Sequence, residues 1–288
     1  MSPRVHHINC GTMCPNHARF VLGEGGLFER ARMVCHCLLI ESDDGLVLVD
    51  TGLGSQDIAE PARLGRGFMR RSAPVLDARE TALAHVLRLG YRAHDVRHIV
   101  PTHLDLDHVG GLVDFPEATV HVFEDEFRAA MQPHGTSAKF GYRAKQWAHG
   151  PHWDSVALAG ERWFGFDAVR AIAGVTPEVL LVPLVGHSEG HCGVAVREGA
   201  GWLLHAGDAY FSHRELDLQR PRTPLGLALF QRMRAVDNAA RLSNQERLRQ
   251  LARDHGSEVR IFSAHCASEF ARFPASNAGA AQPSAAAE

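Results

Sequence analysis

Short apolar runs that stop at a glycine, a proline or a polar cluster recur along this chain, and their lengths fit strands better than long helices. Residues 34–40, 46–49, 95–100, 118–123, 180–185, 202–206 and 259–264 all have this form. Pro101 disfavours helix in the residues before it, so the run ending at Val100 reads as a strand. Helical spacing appears between the runs. Leu83, Val86 and Leu87 share one face of residues 81–89, with Gly90 as a C-terminal cap. A helix from Glu124 to Met131 comes after the run at 118–123, and 227–255, rich in Ala, Leu, Arg and Gln, reads as helix with a break near Asp237-Asn238. Residues 274–288 are mostly Ala, Ser, Pro and Gly, cannot form a core, and are expected to be disordered. The pattern predicts one α/β domain over residues 1–273, without an internal repeat.

The polar endings of these runs carry the chemistry. Behind Pro101 comes Thr102-His103-Leu104-Asp105-Leu106-Asp107-His108-Val109-Gly110-Gly111, with two imidazoles and two carboxylates in six residues. Such a cluster is costly to bury unless a cation organises it. Imidazole nitrogen and carboxylate oxygen are ordinary ligands for divalent metals, and alternation with Leu lets one side bind while the other packs. Gly110 and Gly111 are expected to bring the backbone close to the metal. Three other runs end in the same way, at Gly186-His187-Ser188-Glu189-Gly190-His191, at Gly207-Asp208 and at His265. Taken singly, a strand-end histidine is more often a hydrogen-bonding residue, and an aspartate there a turn residue. Four such endings together point to a metal site built by loops on a rigid sheet.

In chain order, Asp50-Thr51-Gly52, His103-x-Asp105-x-Asp107-His108, Gly186-His187, Gly207-Asp208 and His265 resemble the metallo-β-lactamase fold superfamily, over roughly residues 5 to 272. The resemblance implies an α/β four-layer αβ/βα sandwich with a dinuclear site at one edge. It implies that His103, Asp105 and His187 hold one divalent ion, that Asp107, His108 and His265 hold the other, and that Asp208 bridges them. Asp50 would orient a ligand from behind, and His191 would do the same or be a plain turn residue. One position departs from the usual pattern, because the superfamily commonly has histidine where this chain has Asp105. Three carboxylates acidify a bound water less than two, and oxygen ligands favour harder ions. Two divalent ions are therefore expected, zinc first, with iron or manganese as alternatives. Flavo-diiron oxidoreductases of this fold carry a glutamate at that position, which makes an iron-dependent oxidoreductase the second reading. It ranks second because no room remains after residue 272 for their flavin domain.

Composition narrows the partners. The 288 residues are 45% hydrophobic, enough for one large core, and the net charge of -3 gives no reason to expect nucleic acid. Arg63, Arg66, Arg70 and Arg71 form the densest basic run, too short for a nucleic-acid stripe. No apolar segment reaches transmembrane length, and the first residues lack the apolar core of a signal peptide. A cytoplasmic protein acting on a small molecule, with no membrane partner, is expected. Cys10, Cys14, Cys35 and Cys37 could form a structural zinc site, but Cys35 and Cys37 lie on a strand where free cysteine is a common core residue.

Residues 132–166 hold His134, Tyr142, Trp147, His149, His152, Trp153, Trp163 and Phe164, and are expected to cap the substrate pocket; equally, the aromatics could fasten the segment to the sheet. Two close dications acidify a shared water and polarise an acyl oxygen, so hydrolysis of an ester, lactone or related acyl bond is expected. Asp107 is assigned to orient the water and return its proton. Tyr210, two residues after Asp208, is the candidate donor to the developing oxyanion. Lactone-cleaving members carry a tyrosine near there, one position later.

Overall fold

The computed structural model describes residues 4–134 and 141–273, so the expected disorder of 274–288 lies outside the described residues. Twelve strands form two sheets of six. The first contains β1 (Val5–Met13), β2 (Met33–Ser42), β3 (Gly45–Val49), β4 (Val96–Val100), β5 (Thr119–Phe123) and β6 (His152–Val156), in that order. The second has the order β12 (Val259–Phe262), β11 (Gly201–His205), β10 (Cys192–Glu198), β9 (Val179–Pro183), β8 (Phe166–Ala171) and β7 (Glu161–Trp163).

Strand alternation divides the core into three layers of side chains. Leu38, Ile40, Val47, Val49 and Val100 of the first sheet meet Val179, Leu181, Val194, Val196, Leu203 and Phe262 of the second. The opposite face of the first sheet, with Leu39, Leu48, Ile99 and Val120, packs on Phe68 of helix α3 (Gly65–Ser72) and Val86 of α4 (Ala82–Arg88). The opposite face of the second, with Leu180, Val182 and Leu204, packs on Leu248 and Leu251 of α8 (Asn238–His255). Helices thus cover both outer faces in a four-layer αβ/βα sandwich. Strands covered on both sides need apolar residues at consecutive positions, which is why the sequence shows runs instead of alternation.

The helices keep close to their sequence signals. Thr81 caps α4 by accepting from the N–H of Ala84 at 3.2 Å, and Gly90 comes after it with φ of 89°. Helix α6 is Glu124–Met131. The long C-terminal stretch breaks into α7 (Leu225–Arg234) and α8, whose cap Asp237 accepts from the N–H groups of Ala239 and Ala240. Shorter helices are α1 (Ala18–Leu22), α2 (Ser55–Ala59), α5 (Leu106–Val109) and α9 (Ala267–Phe270).

Of the segment 132–166, for which a cap and a fastening role were both expected, residues 135–140 lie outside the described residues, and strand pairing in the rest matches the fastening role. Within 141–166, β6 pairs in parallel with β5 as the edge of the first sheet, and β7 forms the edge of the second. Trp147 is buried against the first sheet's outer face, Trp153 meets Phe127 edge-on, and Trp163 meets Trp202 edge-on. These aromatics fasten the segment to the sheets.

Strand direction then decides where the polar endings go. β3, β4 and β5 are mutually parallel; β11 and β12 are parallel, and β10 is antiparallel to both β9 and β11. Hence β9, β11 and β12 run the same way. Their carboxyl ends, like those of β3 and β4, open together at one edge of the sandwich.

Candidate metal centre

Seven side chains from four loops converge at that edge. His103, Asp105, Asp107 and His108 follow β4, His187 follows β9, Asp208 follows β11 and His265 follows β12. Three groups have ligand atoms close enough to share an ion: His103, Asp105 and His187; Asp107, His108 and His265; and His103, His108 and Asp208. Asp208 joins the two lobes through separate oxygens. Its Oδ2 lies 3.8 Å from His103 Nε2 and 3.5 Å from His187 Nε2, while its Oδ1 lies 3.4 Å from His108 Nε2 and 3.2 Å from His265 Nε2. On the first lobe, Asp105 Oδ2 is 3.6 Å from His103 Nε2 and 3.4 Å from His187 Nε2. On the second, Asp107 Oδ2 is 3.8 Å from His265 Nε2.

A layer of hydrogen bonds behind the imidazoles selects which nitrogen faces inward. His108 Nδ1 donates to Asp50 at 2.8 Å, and His265 Nδ1 donates to the carbonyl of Val34 at 2.7 Å. His103 Nδ1 donates at 3.0 Å to Thr102 Oγ1, which itself donates to Asp50. Each ring therefore turns its Nε2 lone pair to the centre. His191 has the same care from behind: its Nδ1 donates to the carbonyl of Leu184, and its Nε2 accepts from the N–H of Asp208 at 2.9 Å. Gly207, with φ of 54°, makes this approach, because a Cβ there would lie 2.6 Å from His191 Nε2. Gly110 and Gly111 differ from expectation: they admit the loop 51–57, packing against Gly52, Thr51 and Asp57, and do not face the cluster.

The residues present fit divalent cations. His103 Nε2 and Asp208 Oδ1 are buried without a hydrogen-bond partner, and the Nε2 atoms of His108 and His265 oppose each other at 3.2 Å. Only a positive charge between such lone pairs makes the arrangement favourable. The electrostatics agree. Burial acts to lower the imidazolium of His108, yet the carboxylates of Asp208 and Asp50 raise it well above its ordinary value. Burial likewise acts to raise the Asp208 carboxyl, and His265 and His108 bring it well below the usual range.

A family model described as the metallo-beta-lactamase superfamily matches residues 30–254. The chain belongs to this superfamily. A probable metallo-hydrolase of Mycobacterium tuberculosis is 41% identical over 262 residues, covering 91% of this chain and 80% of that protein. An N-acyl homoserine lactonase of Bacillus thuringiensis is 25% identical over 187 residues, covering 64% of this chain and 67% of that protein. In fold, the chain is similar to the B. thuringiensis AiiA variant crystallised with N-decanoyl-L-homoserine at its active site. The TM-score is 0.71 at 20% identity, covering 96% of this chain and 98% of the other. As a member of the metallo-beta-lactamase superfamily, the protein is a metal-dependent hydrolase.

Several of this hydrolase's residues at the centre carry no readable sequence signal. A cavity of about 370 Å³ opens onto Asp105, Asp107, Asp208, His187 and His265. Its apolar wall comes from Phe20 and Val21 of α1, Phe68 of α3, Phe211, and Leu227 and Phe230 of α7, with Arg70 and Arg71 on the same cavity. From the segment expected to cap it, Gly141 alone among the described residues contributes. Tyr210 is a correction. Its hydroxyl donates to Glu269 at 3.0 Å, its ring is buried against the second sheet's outer layer, and it lines no part of the cavity. Phe211 takes that place, stacked on His265 with ring centroids 5.3 Å apart.

Arg234 of α7 forms an ion pair with Asp105 that spacing could not reveal. Burial acts to raise the Asp105 carboxyl, and Arg234 foremost brings it well below the carboxylate range. The pair sets a buried positive charge against the third carboxylate. Glu126 of α6 is buried and accepts from the N–H of Leu104, the N–H of Gly190, Ser188 Oγ and the Tyr142 hydroxyl, so it ties the loop after β4 to the loop after β9.

Proposed function

We propose that this hydrolase cleaves an ester, lactone or related acyl bond of a small organic molecule at two divalent ions, zinc first among them. His103, Asp105 and His187 would hold one ion, Asp107, His108 and His265 the other, and Asp208 both. The observation that carries the reading is the division of the Asp208 oxygens between two histidine pairs, each within 3.8 Å. Divalent ions bound there supply an acidified water and a Lewis-acid contact for an acyl oxygen.

The chain's own residues do the rest. Asp107 is half-buried and lines the cavity, so its carboxylate can take a proton from an attacking water and return it to the leaving oxygen. Phe211, Phe20, Leu227 and Phe230 give an apolar wall that suits an acyl or ring portion and keeps bulk water from the centre. The lactonase names among the relatives support an acyl bond as target, and a dizinc quorum-quenching lactonase of similar fold, TM-score 0.58 at 17% identity, supports zinc.

The test is a panel of lactones, thioesters and aryl esters assayed with and without chelator. At least one class is expected to turn over, to stop on chelation and to recover with zinc. Asp107→Ala is expected to lower kcat/KM on that class by about a thousandfold, within the usual range for losing a general acid–base group. Turnover that ignores both the chelator and Asp107→Ala sinks the proposal.

A further inference from the structure

Phe211 and helix α7 supply much of the cavity's apolar wall, and one buried carboxylate holds both. Glu215 lies in the short helical turn His213–Leu216 and is 1% exposed. Its two oxygens face different elements. Oε1 accepts from the N–H of Phe211 at 2.9 Å and from that of Ser212 at 3.1 Å, in the loop beyond Asp208. Oε2 accepts from Gln231 Nε2 of α7 at 2.9 Å, from Gln245 Nε2 of α8 at 3.2 Å and from Thr223 Oγ1 at 3.2 Å. Capping the turn accounts for Oε1 alone, because a capping glutamate reaches back to the N–H groups where the turn begins. The turn has no use for Oε2. On α7, Gln231 follows Phe230 and stands one turn after Leu227, and both of those line the cavity. Phe211 stacks on His265 with ring centroids 5.3 Å apart and meets Phe230 edge-on at 5.6 Å.

We infer that Glu215 is a positioning residue for the substrate's apolar group: Oε1 fixes Phe211 over His265, Oε2 fixes α7 against it, and this joint sets how closely Phe211, Leu227 and Phe230 cover that group. The inference rests on the acyl-bond reading of the site and deepens it by naming what sets the preference for acyl length. Hydrogen-bond direction makes the joint specific to a carboxylate. Gln231 Oε1 is already taken by Arg241 Nη1 at 2.6 Å and by Gln245 Nε2 at 3.0 Å, so the Gln231 amide cannot turn to offer an oxygen to position 215. The backbone N–H groups of Phe211 and Ser212 cannot turn either. A carboxylate accepts on both sides, whereas an amide at 215 sets its own NH2 against a buried donor whichever way it is turned.

Glu215→Gln keeps the shape of the side chain and opens the joint on one side. Its probes are acetate and hexanoate, a short and a long carboxylate of the kind that acyl hydrolysis releases, titrated into the zinc-loaded full chain and followed by NMR. The wild type is expected to bind hexanoate about tenfold or more tightly than acetate, since each methylene that the wall covers adds about fourfold. In Glu215→Gln this preference is expected to shrink to about threefold or less, while zinc affinity, read by competition with a chromophoric chelator, moves by less than about threefold. Adding Gln231→Glu puts the carboxylate on α7, where it accepts from the new amide, from Arg241 and from Gln245. The double variant is expected to regain the preference to within about threefold of the wild type. A carboxylate that only stabilises the fold would lower the denaturation midpoint and leave the ratio between the two probes alone.

A preference that survives in Glu215→Gln overturns the inference, as does a loss that the double variant does not restore or a zinc affinity that falls in step with hexanoate. Should Glu215→Gln fail to fold, a folded and selective double variant supports the inference, and an unfolded or unselective one overturns it. A wild type that binds no zinc, or that binds hexanoate no more tightly than acetate, overturns the acyl-bond reading and this inference with it. A selective wild type without the loss and rescue overturns this inference alone.

Discussion

Tyr210 and Phe211 show how much one residue of offset matters at the end of a strand. Beyond β11 the chain turns through Gly207 and Asp208, and successive side chains leave in different directions. Phe211 consequently faces the cavity, while Tyr210 reaches Glu269, which burial pushes up to about 6 and which also accepts from the N–H and hydroxyl of Ser263. The tyrosine is thus a brace for the loop carrying His265. Tyr210→Phe should leave kcat within about threefold of the wild type. Loss of the hydrogen bond should cost about 1 kcal/mol, read as a lower denaturation midpoint. A loss of kcat above a hundredfold without a change in KM would restore the tyrosine to the reaction. The seven converging side chains were legible as a set, because four apolar runs end in the same ligand types, and not one by one, since a single strand-end histidine or aspartate is more often a hydrogen-bonding or turn residue. Arg234 was not legible, since nothing near it in sequence names its partner.

At the scale of elements, α6 does for the loops what the imidazole hydrogen bonds do for single ligands. The Glu126 carboxylate accepts the N–H groups of Leu104 and Gly190 and the Ser188 hydroxyl from the loops around His103 and His187, together with the Tyr142 hydroxyl from the segment before β6. Glu126→Ala leaves these buried donors unmatched, at a cost of about 3 kcal/mol or more in stability. It should also weaken zinc retention by about ten- to a hundredfold, as happens when the support of a ligand is lost. Unchanged chelator competition in Glu126→Ala would show that the loops hold their positions without the clamp. Helix α6 was expected from the sequence as the element after the run at 118–123, but its clamp role depends on two loops that meet only after folding. The segment 141–166 teaches the converse. Its aromatics suggested a cap, and because β6 and β7 are short edge strands with exposed polar residues, their period was too weak to see.

On the scale of the whole molecule, the two sheets also bury a second histidine group, away from the metal centre. His7 Nδ1 meets His36 Nε2 at 2.8 Å, and the rings lie among Phe262, Phe270 and Phe273. Burial foremost, with His205, Arg260 and His6, lowers His7 from 6.5 to about 3. The unfolded chain therefore takes up a proton near pH 6.5 that the folded chain refuses until about pH 3. The stability contributed by neutral His7 is present above pH 6.5 and is lost as pH falls through that window. Denaturation midpoints should drop between pH 7 and pH 5, and His7→Phe, which keeps an aromatic ring on Phe273, should show a shallower drop. An equally steep acid limb in the variant would place the effect elsewhere. No helix among the described residues is long and apolar enough to cross a membrane.

Local sequence determined the strand runs, most helix positions and the identity of seven ligand-type side chains, because burial on both faces demands unbroken apolar stretches and because a polar cluster at their ends has to be matched by charge. The family resemblance came from the order of those endings. Tertiary structure alone decided that β9, β11 and β12 point the same way as β3 and β4, that Asp208 divides its oxygens between two lobes, that Phe211 and not Tyr210 meets the cavity, and that Arg234 balances Asp105. The reason is physical: charge balance and side-chain direction depend on distances of a few ångströms between residues far apart in the chain, and only the packing of one sheet on the other sets those distances.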